Sequence, residues 1–145
     1  MFYKGLKQPQ IFLGVTKDDQ AILQEDRKYK NDVDDTELDQ IKSHMEQSKP
    51  FVDSELTLNQ LAEQLNFPPR KLSQIINTGF GMNFMSFINN YRIEFAKSRL
   101  SNPKDSKETV MEVMYDCGFK SKSSFNTLFK EATGNTPSQF KKLHS

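Results

Sequence analysis

The chain has little of what reactive or cross-linked proteins depend on. Among 145 residues there is one cysteine, Cys117, no tryptophan, and only two histidines, His44 and His144. One cysteine excludes an internal disulfide and suits a reducing compartment. Cys117 and the two histidines lie too irregularly to make a metal set. Neither histidine has a nucleophile pattern beside it, and Cys117 stands at an apolar helix position, so it belongs to a core. No enzyme activity, metal, cofactor or small-molecule site is therefore expected. No apolar run approaches the ~18–20 residues that cross a bilayer. Met1 is followed by Phe2, Tyr3 and Lys4, without the apolar stretch of a secretory signal. These absences point to the cytoplasm.

Net charge is also scarce, at +1, but the sum hides a split. Residues 1–55 hold 8 Lys/Arg and 12 Asp/Glu, a net −4. Residues 56–145 hold 12 Lys/Arg and 7 Asp/Glu, a net +5. A polyanion would prefer the second part. The excess is small, so charge alone decides nothing.

What the chain does have is a repeat. Thr57-Leu58-Asn59-Gln60-Leu61-Ala62, closed by Asn66-Phe67, precedes Leu72, Ile75, Ile76, Gly81 and Phe87. Thr109-Val110-Met111-Glu112-Val113-Met114, closed by Gly118-Phe119, precedes Phe125, Leu128, Phe129, Gly134 and Phe140. One structural device is used twice. Each copy reads as a short helix, a tight turn and a second helix, the device that enters a DNA major groove.

The surrounding signals predict an all-α chain of about seven helices, with no convincing strand. A first helix runs over about 35–48, capped by Asp34 or Asp35, with Leu38, Ile41 and Met45 on one face. Pro50 stops it. Thr57 with Gln60, Thr109 with Glu112, and Thr136 with Gln139 form three capping boxes. Pro69 suits the first position of a helix, where its missing N–H costs nothing. Asn83 caps a long helix ending near Asn102-Pro103, about 27 Å at 1.5 Å per residue. Ser121 opens the second helix of the second copy. Thr136-Pro137 starts a short last helix carrying Phe140 and Leu143. The first helix-turn-helix subdomain thus covers about 57–81, the linker helix about 83–101 and the second subdomain about 109–134. Residues 1–35 are too polar to build a core and read as an irregular N-terminal arm or linker. The arm is either a tail or the stub of a missing sensor region.

Helical periodicity divides each second helix into two faces. In the first copy Leu72, Ile75 and Ile76 turn inward, leaving Arg70, Lys71, Ser73, Gln74 and Asn77 for DNA. Arg70 matches guanine O6 and N7, and Gln74 matches adenine N6 and N7. In the second copy Lys122, Ser123, Ser124, Asn126, Thr127 and Lys130 are left outside. These are shorter and less basic, with Asn126 suited to adenine. The first copy is therefore expected to dominate specificity. Lys120, Lys141 and Lys142 would add charge. The plainer reading of Arg92 is a brace between linker helix and first unit. Lys97 and Arg99 read as ordinary solvated residues.

Three longer runs carry a family resemblance. They are Gly81-x-x-Phe84-x-x-Phe87-Ile88-Asn89-x-Tyr91-Arg92-Ile93-x-x-Ala96-x-x-Leu100, then 113–119, then Phe125-x-x-Leu128-Phe129-Lys130-x-x-x-Gly134-x-Thr136-Pro137-x-x-Phe140. Together they resemble the DNA-binding domain of the AraC/XylS (arabinose-regulator) family, over about residues 36–145. The resemblance implies a bacterial transcription regulator that sets two recognition helices on one face of double-stranded DNA. It also implies RNA polymerase as a partner. Met114 stands where the family usually has Ala, and Pro68 where a capping Ser is common. The family's effector-binding β-barrel does not fit into residues 1–35. Some members carry a membrane-embedded sensor instead, and residues 3–9 resemble a connector seen there. A C-terminal fragment of a longer protein is therefore expected, a membrane anchor being one form that the missing part could take. Its homodimer contacts would lie in the arm or the missing region. The competing reading is a protein-interaction module that keeps the fold without binding DNA.

Overall fold

The structure is a computed structural model that describes residues 33–102 and 107–144. The arm expected over residues 1–35 therefore lies almost wholly outside the described residues. Those described form seven α-helices and one 3₁₀ turn, with no strand among them. The helices are α1 (Asp35–Ser48), α2 (Leu58–Leu65), α3 (Pro69–Gly79), α4 (Phe84–Ser101), α5 (Val110–Asp116), α6 (Lys122–Thr133) and α7 (Pro137–Leu143). The 3₁₀ turn, Pro50–Val52, follows α1.

Each helix starts where its cap dictates. Asp34 accepts from the Thr36 N–H at 3.1 Å and opens α1. All three expected capping boxes form. Thr57 Oγ1 accepts from the Gln60 N–H while Gln60 Oε1 accepts from the Thr57 N–H. Thr109 with Glu112 and Thr136 with Gln139 repeat this exchange. Each box satisfies two N–H groups that a helix start leaves unpaired. Asn83 caps α4 through Ser86 N–H, and Ser121 caps α6 through Ser124 N–H. Pro68 before α3 offers no side-chain cap.

Two cores result. The first gathers Ile41 and Met45 of α1, Phe51, Leu56, then Leu61, Ala62 and Leu65 of α2. Leu72, Ile75 and Ile76 of α3 and Phe87 and Ile88 of α4 complete it. The second gathers Ile93, Ala96 and Leu100 of α4 with Val113, Met114, Cys117, Phe119, Phe125 and Phe129. The linker helix α4 thus belongs to both, its first half to one and its second half to the other. Its 18 residues span about 27 Å at 1.5 Å rise. The last helix carries Phe140 and Leu143 as read from the sequence, and Leu143, its final residue, is 69% exposed.

Candidate nucleic-acid interface

The two turns define the site. Asn66, at the end of α2, sits in the left-handed region at φ 60°, and its repeat partner Gly118 does so at φ 103°. Each reversal swings the following helix across the preceding one. Helix α3 packs on α2, and α6 on α5. Leu72, Ile75 and Ile76 are buried, as are Phe125 and Phe129, so the other faces of α3 and α6 point away from their cores.

On α3, Arg70, Lys71 and Asn77 are exposed, and Ser73 and Gln74 are half-buried. Asn77 donates from Nδ2 to Ser73 Oγ at 3.5 Å, one helical turn back. Lys71 is engaged: its Nζ lies 2.5 Å from Glu37 Oε1 of α1 and 5.6 Å from the Phe67 ring centre. On α6, Lys122, Ser123, Ser124, Thr127 and Lys130 are exposed and Asn126 is half-buried. None of the eleven residues singled out in the sequence is buried. An open groove of about 490 Å³ runs beside α6, lined among others by Thr109, Lys122, Asn126 and Thr136. Three helix starts, those of α5, α6 and α7, therefore meet there with their positive ends.

Several charged residues do other work than the sequence suggested. Arg99 is no solvated bystander. It pairs with Glu108 and, at 3.1 Å, with Asp116, and lies over the Phe95 ring, tying the end of α4 to the second unit. Lys120 pairs with Glu55 across the two units. Lys141 donates to the Glu108 carbonyl. Arg92 is buried and braces α4 as expected, donating from Nε to Phe51 O at 2.7 Å and from Nη2 to Asp53 O at 3.0 Å. It also lies 5.8 Å from the Phe119 ring centre in the second unit, a contact that spacing alone did not suggest. Burial pulls its guanidinium below the usual value, though an arginine stays charged in such a setting. Burial pushes the Cys117 thiol up to about 11, and its Sγ donates to Met114 O at 3.2 Å. A thiol so held is a core group and a poor nucleophile near neutral pH.

Two recognition helices, each behind a left-handed turn and joined by one continuous helix, define a tandem helix-turn-helix fold. The model of a helix-turn-helix domain family matches residues 61–143, more than half of the chain. The chain belongs to the AraC/XylS family of helix-turn-helix proteins. It is 33% identical over 87 residues to an uncharacterized HTH-type transcriptional regulator of Staphylococcus aureus. That match covers 60% of this chain but only 11% of the relative's length. The fold is similar to the C-terminal domain of AraT, a response regulator of Geobacillus stearothermophilus, with TM-score 0.60 and 27% identity over 77% of this chain and 87% of that one. It is also similar to a Chromobacterium violaceum regulator of the AraC-type DNA-binding domain class, with TM-score 0.63 and 18% identity over 76% and 93% of the two chains.

Proposed function

We propose that this chain is the DNA-reading part of a transcription regulator, setting α3 and α6 into successive major grooves on one face of the duplex. The observation that carries this reading is the doubled turn with an outward polar row behind each copy. Major grooves on one face recur about every 34 Å, and a rod of about 27 Å plus the girth of the flanking units is of that order. One chain then does what a single-unit protein needs a dimer to do.

Arg70 and Gln74 of α3 supply the sharpest base contacts, guanine for the first and adenine for the second. Asn126 of α6 reads adenine more loosely among its short-chained neighbours. Lys71 is held in the free protein by Glu37, whose side chain is mostly buried. The lysine charge therefore reaches the phosphates while it stays paired, rather than by opening the pair, which would leave a buried carboxylate without a partner. The helix starts around the α6 groove add partial positive charge on the same side. Such a complex would act on transcription through RNA polymerase, in the cytoplasm. A second copy would join through residues 1–35 or a region preceding them.

Selection of bound sequences from random duplex DNA tests the reading. The expected product is a bipartite motif, its better-defined half assigned to α3, with affinity falling steeply as salt rises. Binding indifferent to salt and sequence, or no binding, would favour the interaction module.

A further inference from the structure

Three parts of the chain that are distant in sequence meet at one point. The 3₁₀ turn after α1 brings the carbonyls of Phe51 and Asp53. The middle of α4 brings Arg92, which takes both as acceptors, at 2.7 and 3.0 Å. The turn of the second unit brings Gly118 and Phe119. Gly118 is buried so closely that a Cβ there would stand 2.3 Å from Phe51 O and 2.8 Å from Arg92 Nε. Phe119 lies against the same guanidinium. At the rim, Lys120 pairs with Glu55.

The first unit has no counterpart. Asn66 holds the place of Gly118 in the repeat and is exposed. A continuous helix sets how far apart two units stand, but it leaves the second free to pivot where it meets the helix. A buried, three-sided contact removes that freedom. We propose that Arg92 and Gly118 form an angular joint that locks the second unit against the first, and so makes the spacing of the two half-contacts on DNA strict. Arg92 is a positioning residue here: it acts on α6 through the turn and touches no base. The inference rests on the two-groove reading, but one arm of its test needs no DNA.

That arm uses spin labels on E63C and E131C, both at exposed positions of the two units. The distance distribution should be narrow in the otherwise native chain and visibly broader with Arg92→Met, which keeps the bulk and deletes the donors. An unchanged width in a folded R92M protein overturns the joint, whatever the chain does on DNA. The second arm takes the selected bipartite sequence and inserts one or two base pairs between its halves. The native chain should lose on the order of 100-fold in affinity, the scale on which a linked second contact acts. R92M should lose about tenfold on the native spacing but show a much smaller insertion penalty, with affinity for the α3 half alone unchanged. An equal insertion penalty in both proteins refutes the proposal. Should R92M fail to fold, Lys120→Glu decides at the rim. It should broaden the distribution and soften the penalty, and Glu55→Lys added to it should restore both. Absence of that rescue counts against the joint. Failure of every variant and of the native chain to select any sequence refutes the two-groove reading instead and leaves the distance measurement standing.

Discussion

Asn66 and Gly118 occupy one position of the repeat and both take a positive φ, 60° and 103°, yet their surroundings are opposite. Asn66 turns its side chain to water; Gly118 is pressed between the Phe51 carbonyl and Arg92. The first unit packs α1 against its helix pair and leaves its turn open. The second has no such leading helix of its own and uses the latter half of α4 in that role, through Ile93, Ala96 and Leu100. Its turn then falls against the first unit. A repeated device therefore serves two purposes: one copy stands alone, and the other is also a joint.

Substitution at the joint is the strongest way to break this comparison. Gly118→Ala meets both a left-handed backbone at φ 103° and a carbonyl oxygen that cannot move without dragging Arg92. We expect a loss of roughly 3–5 kcal/mol, the range of strain combined with a core clash. Gly134→Ala, at φ 82° with open space around the added carbon, should lose only about 1 kcal/mol, the cost of the left-handed backbone alone. Asn66→Gly should change little. Urea midpoints of the three variants check the ordering, and equal losses at 118 and 134 would show that the contact carries no energy.

The two cores differ at another matched pair, Ala62 and Met114, both fully packed. The family resemblance leads one to expect Ala at the second, and the second unit has instead built a space for methionine. Met114→Ala should therefore open a cavity and destabilise the chain by about 2–5 kcal/mol. Ala62→Met should overfill the first core and cost about 1–3 kcal/mol. If the methionine were tolerated in both units, the cores would be looser than their burial indicates.

Much of this was open to reading in the sequence, for local reasons. Capping boxes at Thr57, Thr109 and Thr136 need only residues three apart, and each formed as spaced. Inward rows such as Leu72-Ile75-Ile76 follow from helical period alone. The polar rows of the candidate interface follow by subtraction, which is why none of their members is buried. What escaped was long-range. Pro50 signals a helix stop, but the 3₁₀ turn and the burial of Phe51 and Leu56 depend on α4 lying beside them. The pairs Lys71–Glu37, Lys120–Glu55 and Arg99–Glu108 join residues 34, 65 and 9 apart, and no periodicity announces a partner on another element. Arg92 was legible as a brace. Its hold on Phe119 was not, because only the folded chain brings the second turn to it.

The two recognition faces also invite a comparison by mutation. Arg70→Ala or Gln74→Ala should each cost about 1–3 kcal/mol of discrimination at one base pair, while Asn126→Ala should relax specificity less. Binding to variant duplexes, one base changed at a time, reads this directly. A loss spread evenly over all sequences would assign the residue to phosphates.

The smallest expected effect concerns how the same two helices begin. Ser121 accepts from the Ser124 N–H and closes the start of α6, whereas Pro68 gives α3 no such bond. An N-cap of this kind contributes about 1 kcal/mol. Ser121→Ala should therefore lower stability by about that much. Pro68→Ser should raise it by a smaller amount, since releasing the proline frees the unfolded chain and offsets part of the new bond. The two changes pull the units toward each other: the first makes the start of α6 resemble that of α3, and the second does the reverse. Thermal unfolding of both single variants and the double variant settles the matter. The starts of α3 and α6 belong to separate cores, so the effects should add to within about 0.5 kcal/mol. A larger departure from additivity would mean that the joint passes strain from one helix start to the other.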